Sequence, residues 1–230
     1  MATAFVMVLG VSLHILAGPF VNLDFEQANI ANVVYDSPTE GHGAAADLIP
    51  GWRLVVYDRL VDQLGYNRAG AAETEGYASL YDARSSWAQF LAPDGKYAVV
   101  LAGPYHRETY ISQIGVVPAD ARYLELKGLL NGVVVSIDAA PLQLAGGTSP
   151  ADNTARTLYY DLNGVAGQNV ILTIQSGSTI PAAYNVLDSI AFTSVVPEPG
   201  PVALMMMGAT MLGIRQLWTR PGHAKARKEG

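Results

Sequence analysis

The side chains best suited to chemistry in this 230-residue chain are flat and neutral: Trp87 and Tyr105, with Ser85, Ser86, Gln89 and His106 near them in sequence. Sugar rings stack on such faces through their C–H groups, and a few amides and hydroxyls orient them, so an aromatic residue beside an amide is the pattern of a carbohydrate subsite. Trp87, Tyr105 and Gln89 are therefore the expected ligand-binding residues. Tyr57, Tyr66, Tyr77, Tyr81 and Tyr110 crowd the same loop-rich stretch, whereas Trp52, followed by Leu54 and Val56, reads as a core residue.

Catalytic patterns are lacking. The sequence holds no Gly-x-Ser-x-Gly elbow, no His-Glu-x-x-His helix and no glycine-rich phosphate loop. His42 and His106 stand at no recognisable ligand spacing and read as solvated loop residues. The eighteen acids between Val21 and Val196 supply a carboxylate pair on any scaffold, so their presence decides nothing. A glycoside hydrolase would need two of them facing each other across a cleft, about 5 to 9.5 Å apart. The expectation is a non-enzymatic protein.

Charge and cysteine usage narrow the partners. Val21–Val196 carries nine Lys or Arg against eighteen Asp or Glu, a net −9, while Pro197–Gly230 carries five against two, a net +3. An acidic domain of this kind does not recruit nucleic acid or anionic lipid. With no cysteine there are no disulfides, zinc thiolate sites or cysteine nucleophiles. The segment between the two ends, about 175 residues, suits one domain with a sizeable core.

The elements that must position these residues are short strands. Alternation or apolar runs mark strands at Asn22–Glu26, Pro50–Val56, Tyr77–Tyr81, Trp87–Leu91, Lys96–Ala102, Tyr110–Val117 and Arg122–Lys127. Val133–Asp138 with Pro141–Leu144 forms an expected strand pair, and Thr157–Leu162, Asn169–Gln175 and Val186–Ser194 complete the set. Gln27–Ile49 reads as a long loop and Tyr57–Gly76 as a surface excursion. About ten strands with closely spaced turns and no sustained helical period predict an all-β sandwich over residues 22–196.

Both ends differ from the middle. Met1–Ala17 is apolar and ends in Ala17-Gly18-Pro19, so residues 1–18 read as a secretory signal peptide, although no basic residue precedes the apolar run. At the other end, Pro197-Glu198-Pro199-Gly200-Pro201 is a stiff extended spacer. The uncharged run Pro201–Ile214 spans about 21 Å as a helix. With Arg215 snorkelling and Trp218 at the interface, residues 201–218 reach about 27 Å, a marginal single transmembrane helix. Arg215, Arg220, Lys225, Arg227 and Lys228 keep the extreme end cytoplasmic, which places everything before Pro197 outside.

This tail, residues 197–230, resembles the PEP-CTERM sorting signal of Gram-negative bacteria in the order, spacing and terminal position of its Pro-Glu-Pro motif, short helix and basic end. The resemblance implies cleavage near Pro197-Glu198-Pro199 by an exosortase-type enzyme. Transit through the inner membrane and delivery to the cell surface or an extracellular matrix would follow. An ordinary C-terminal membrane anchor is the alternative on hydrophobic length alone.

The middle is similar to galactose-binding-like jelly rolls, the fold of many carbohydrate-binding modules. The landmarks are Asn22-Leu23-Asp24-Phe25-Glu26, Pro50-Gly51-Trp52, Ile111-Ser112-Gln113, Val117-Pro118-Ala119, Ala166-Gly167-Gln168-Asn169-Val170 and Leu187-Asp188-Ser189-Ile190. That resemblance implies a jelly-roll sandwich with its first and last strands adjacent. It also implies a structural calcium near them, with Glu26 and Asp188 as carboxylate ligands. The expected role is a surface or matrix protein that binds polysaccharide; a purely structural matrix component and a hydrolase are the alternatives.

Overall fold

Eight alternating residues, Thr109–Val116, put Thr109, Ile111, Gln113 and Gly115 on a buried face and leave Tyr110, Ser112, Ile114 and Val116 on the other. That strand, β8, and its partner β14 (Asn169–Ser176) form the regular centre of one sheet. The computed structural model describes residues 17–68, 77–85, 95–102, 109–130, 132–147, 156–176 and 184–195. The chain divides into two compact units, Met1–Ser194 and Val195–Gly230, and the described residues other than Val195 belong to the first.

Among the described residues there are two sheets and almost no helix. The smaller runs in the order β11 (Ala140–Pro141), β10 (Val133–Ile137), β14, β8, β3 (Arg53–Val56) and β4 (Arg59–Val61). The larger begins with β1 (Val34–Tyr35), β2 (Gly41–Ala44), β5 (Gln63–Tyr66), β6 (Tyr77–Tyr81) and β7 (Ala98–Ala102). It continues through β15 (Tyr184–Thr193), β9 (Tyr123–Leu129), β13 (Arg156–Asp161) and β12 (Leu144–Gly146). Every strand pair is antiparallel except β5 with β6.

The inner faces of the two sheets meet in one apolar core. Leu54, Ile111, Val135, Leu172 and Ile174 come from the smaller sheet, and Leu64, Leu80, Leu101, Leu124, Leu126 and Leu187 from the larger. Each such side chain contributes about 1.5 to 3 kcal/mol on leaving water. Trp52 closes one end of this core as its sequence predicts, with its ring 5.9 Å from Phe25 and its indole N–H donating to the Asn22 carbonyl. The architecture is the expected all-β sandwich.

Several local expectations are corrected. Asn22–Glu26 alternates like a strand but is a turn, because Asn22 (φ 50°) and Phe25 (φ 62°) lie in the left-handed region. The Asn22 side chain stabilises that turn by accepting from Gln27 N–H at 2.9 Å and donating to the Pro50 carbonyl. The turn still adjoins the last strand, since Ile190 N–H donates to the Leu23 carbonyl. Gln27–Ile49, read as a loop, contains β1, β2, a 3-10 turn and one turn of helix, Ala45–Leu48. Tyr57–Gly76 contains β4 and β5, and Tyr57 and Asp58 form the two-residue left-handed turn that closes the β3–β4 hairpin. The Pro141–Leu144 segment is divided between sheets, β11 pairing with β10 and β12 pairing with β13.

At the chain's start, Gly18, the last residue assigned to the signal peptide, is already part of the sandwich. Its carbonyl accepts from Val116 N–H at 3.1 Å, and Pro19 bridges the same strand. No helix among the described residues is long and apolar enough to cross a membrane. Residues 1–16 and the expected transmembrane segment 201–218 lie outside them.

Candidate binding site

Because β5 and β6 run parallel, both release their chains at the same end of the larger sheet. The antiparallel partners on either side bring Tyr35 of β1 and the approach to β7 to that end as well. Four strand ends therefore deliver Tyr35-Asp36, Tyr66-Asn67-Arg68, Tyr81-Asp82-Ala83-Arg84 and Lys96-Tyr97 to one place.

Asp82 is the hub. Its Oδ2 accepts from the Tyr66 hydroxyl at 2.6 Å and from Arg84 Nε at 2.8 Å, and its Oδ1 accepts from the Asn67 amide at 2.7 Å and from Arg84 N–H at 2.9 Å. Asn67 completes a two-way clasp, its side-chain oxygen accepting from Asp82 N–H at 2.8 Å. Asn67 sits at φ 52°, a conformation that an asparagine tolerates better than a β-branched residue would. Arg84 also donates to the Tyr66 hydroxyl, and its guanidinium carbon lies 5.5 Å from the Tyr66 ring centre. Tyr35 meets Tyr66 edge to face with the ring centres 6.1 Å apart.

The electrostatics follow from this wiring. Burial pushes the Asp82 carboxyl up, but the hydrogen bonds from Tyr66, Asn67 and Arg84 outweigh it and hold the group below the usual carboxylate range. Burial pushes the Tyr66 hydroxyl well up, reinforced by its bond to Asp82. Arg84 is held charged by its hydrogen bonds to Tyr35, Asp82 and Tyr66. Burial likewise raises the Tyr97 hydroxyl, which also feels the charges of Asp82 and Glu26. Asp82 is thus held ionised as an acceptor of four hydrogen bonds.

Glu26, expected as a calcium ligand, accepts from two backbone amides. Its Oε1 accepts from Lys96 N–H at 2.7 Å and Tyr97 N–H at 3.0 Å, fastening the turn at Asn22–Glu26 to the start of β7. Gly95 permits that approach, since a Cβ there would fall on the Glu26 carboxylate. Asp188 is buried in β15 directly after Leu187, which pairs with Val99, so it borders the start of β7 too. Calcium takes six to eight oxygens, and among the described residues no three His, Asp or Glu side chains converge. The pair alone does not make up that shell.

A shallow cleft of about 160 Å³ adjoins the cluster, lined by His42, Gln63, Gly65, Arg68 and Ser79 among others. Its floor is the Gly65 backbone, flanked in register by His42 and Ser79. His42, read as a solvated loop residue, lies in β2 with Nδ1 3.2 Å from Asp36 Oδ2, and Arg68 contacts the same oxygen at 3.2 Å. Arg68 of that pair lines the cleft, and its carbonyl accepts from the Tyr81 hydroxyl at 2.7 Å at the end of β6.

Of the residues expected to bind ligand, Trp87, Gln89 and Tyr105 lie outside the described residues, as do Pro197, Glu198, Pro199, Arg215 and Trp218. Tyr35, Asp82, Arg84 and Tyr97 were not singled out by the sequence reasoning. The available signal was a recurring Tyr-Asp or Tyr-Asn at strand ends, twice followed by Arg, in Tyr66-Asn67-Arg68 and Tyr81-Asp82-Ala83-Arg84.

No protein-family model matches the chain. No curated protein matches it. Among solved structures it is similar to a glycoside hydrolase family 43 arabinoxylan arabinofuranohydrolase from Bacillus subtilis in complex with cellotetraose. The identity is 14%, the match covers 62% of this chain and 27% of that one, and the TM-score is 0.35. A similarity at that level assigns neither fold family nor activity.

Proposed function

We propose that this is an exported surface or matrix protein that binds carbohydrate at the end of its larger sheet where Tyr35, Asp82, Arg84 and Tyr97 assemble. The observation that carries the binding reading is the convergence of three tyrosines, one guanidinium and an ionised carboxylate from four strand ends on one site. Tyr35 is 45% exposed and offers a ring for stacking. Arg84, with 46% of its side chain exposed, supplies planar donors beside it, and the adjoining cleft adds the Gln63 amide. An exposed aromatic face beside hydrogen-bond donors held in place by their own partners suits a polyhydroxylated ligand.

The export reading rests on the sequence of the tail, which resembles an exosortase substrate. The sandwich would be released near Pro197-Glu198-Pro199 after transit through the inner membrane. A glycan-array screen of the full chain in detergent, with calcium and with a chelator, tests the binding reading. Retention on one sugar class, lost in Arg84→Ala, is expected. A blank from a folded sample supports a purely structural matrix role, and turnover of the glycan supports a hydrolase. For sorting, Pro197→Ala with Pro199→Ala should leave the uncut chain in the membrane fraction; unchanged processing would remove the assignment.

A further inference from the structure

The outer face of the six-stranded sheet is described along its whole length. Register places Leu60, Val55, Tyr110, Gln175 and Val134 in one row across β4, β3, β8, β14 and β10. The next row holds Arg53, Ser112, Thr173 and Ser136, and beyond it Ile114 lies opposite Ile171. Leu60, Ile114, Ile171 and Val134 are between 40% and 70% exposed. In a domain of net charge −9, Arg53 is the sole charge among the described outward side chains of these strands. Asp138 stands in the turn at the opposite margin, its Oδ1 accepting from Ile171 N–H at 2.8 Å.

We propose that this face binds a second copy of the chain, sheet on sheet, about a two-fold axis running along the strands between β8 and β14. That axis carries each row onto the same row of the partner, so the aliphatic rows meet aliphatic rows and the Ser and Thr row meets its own copy at the roughly 10 Å spacing of packed sheets. A sugar-binding plane would instead present several aromatic rings, and Tyr110 is the one ring in these rows. The axis exchanges the two margins, so Arg53 of each copy meets the margin that carries the partner's Asp138. The charges are complementary twice over. The acidic remainder of the domain, which repels a neighbour in other orientations, is kept out of the contact. β8 and β14 are eight residues long and β4, β3 and β10 three, four and five, which at about 3.4 Å along and 4.8 Å across the strands gives about 460 Å² per copy. The total, about 900 Å², is in the range of weak, transient contacts. The association is therefore concentration-dependent and favoured where the chain is crowded.

The absence of cysteine makes a single introduced thiol a clean reporter. Full chain carrying Thr173→Cys, beside the axis, is treated in detergent with a bismaleimide of about 10 Å reach, over a concentration series. Gln63→Cys, on the other sheet, is the control. Cross-linked dimer from Thr173→Cys should rise with concentration and exceed the control by about tenfold, a 1.4 kcal/mol preference. Ile114→Lys with Ile171→Lys should return it to the control level, and Arg53→Asp should lower it severalfold without altering the melting temperature. Equal yields at the two thiol positions, or a yield unmoved by the lysines, would overturn the proposal. So would protection of the Thr173→Cys thiol by polysaccharide without cross-linking, which would make the face a glycan surface.

Discussion

The two sheets solve different problems with the same backbone. In the smaller one, β8 and β14 are each eight residues long and alternate strictly, and their inward side chains are apolar apart from Thr109, Gln113 and Ser176 at 0%, 4% and 1% exposure. In the β1–β2–β5–β6 half of the larger one, strands of two to five residues end in polar clasps. Asn67 and Asp82 do there what ladder length does elsewhere. Long alternating strands give a stable plane, while short strands that stop together give a rim on which unlike side chains meet. The site belongs to the second kind.

The comparison predicts a hierarchy of damage. Leu172→Ala in the regular sheet, fully buried, should cost about 2 to 5 kcal/mol by denaturant unfolding. Asp82→Ala should cost less, about 1 to 3 kcal/mol, because it strands the Tyr66 hydroxyl and the Asn67 amide rather than opening the core. A larger loss from Asp82→Ala than from Leu172→Ala would mean that the clasp, not the plane, holds the fold.

Titration sharpens the same contrast. The Asp82 carboxyl is lowered in the folded chain from 3.8, so its stabilisation is complete above that value and is lost as pH falls through the folded one. Tyr66 is raised from 10.0, so its stabilisation is complete below pH 10 and is lost as pH climbs beyond it. Asp82→Asn should flatten the acid limb of the stability curve below about pH 4, and Tyr66→Phe should flatten the alkaline limb. Wild-type limbs in both variants would contradict the hydrogen-bond pattern of the clasp.

Gly95→Ala pushes a methyl group against the Glu26 carboxylate and should cost on the order of 1 kcal/mol through weakened bonds to Lys96 and Tyr97. Addition of a chelator to wild type checks the calcium reading of Glu26 and Asp188: a fall in melting temperature supports it, and no change leaves Glu26 as a backbone clip. Smallest in stability is Tyr35→Ala, at about 0.5 kcal/mol, yet it should remove carbohydrate binding.

What could be read from the sequence divides along the same line. Tyr110–Val117 and Asn169–Gln175 were legible because an uninterrupted period of two survives any context. β2 and β5 were not, since Gly41, Gly43 and Gly65 have no side chains to show the alternation and are held as strands by their neighbours. Asn22–Glu26 misled because its alternation is genuine while the left-handed backbone at Asn22 and Phe25 is set by contacts with Pro50 and Trp52. The cluster around Asp82 was hidden because it joins strand ends up to about sixty residues apart, brought together by one parallel pairing that composition does not announce.

The most direct measurement is a two-dimensional amide NMR titration of isotope-labelled full chain in detergent with the sugar class retained on the array. Shifts concentrated at Tyr35, Asn67, Arg84 and Tyr97, with Tyr110, Ile114 and Ile171 unmoved, are expected. Shifts confined to the outer face of the smaller sheet, or none in a sample with dispersed resonances, would contradict a carbohydrate site at the Asp82 rim.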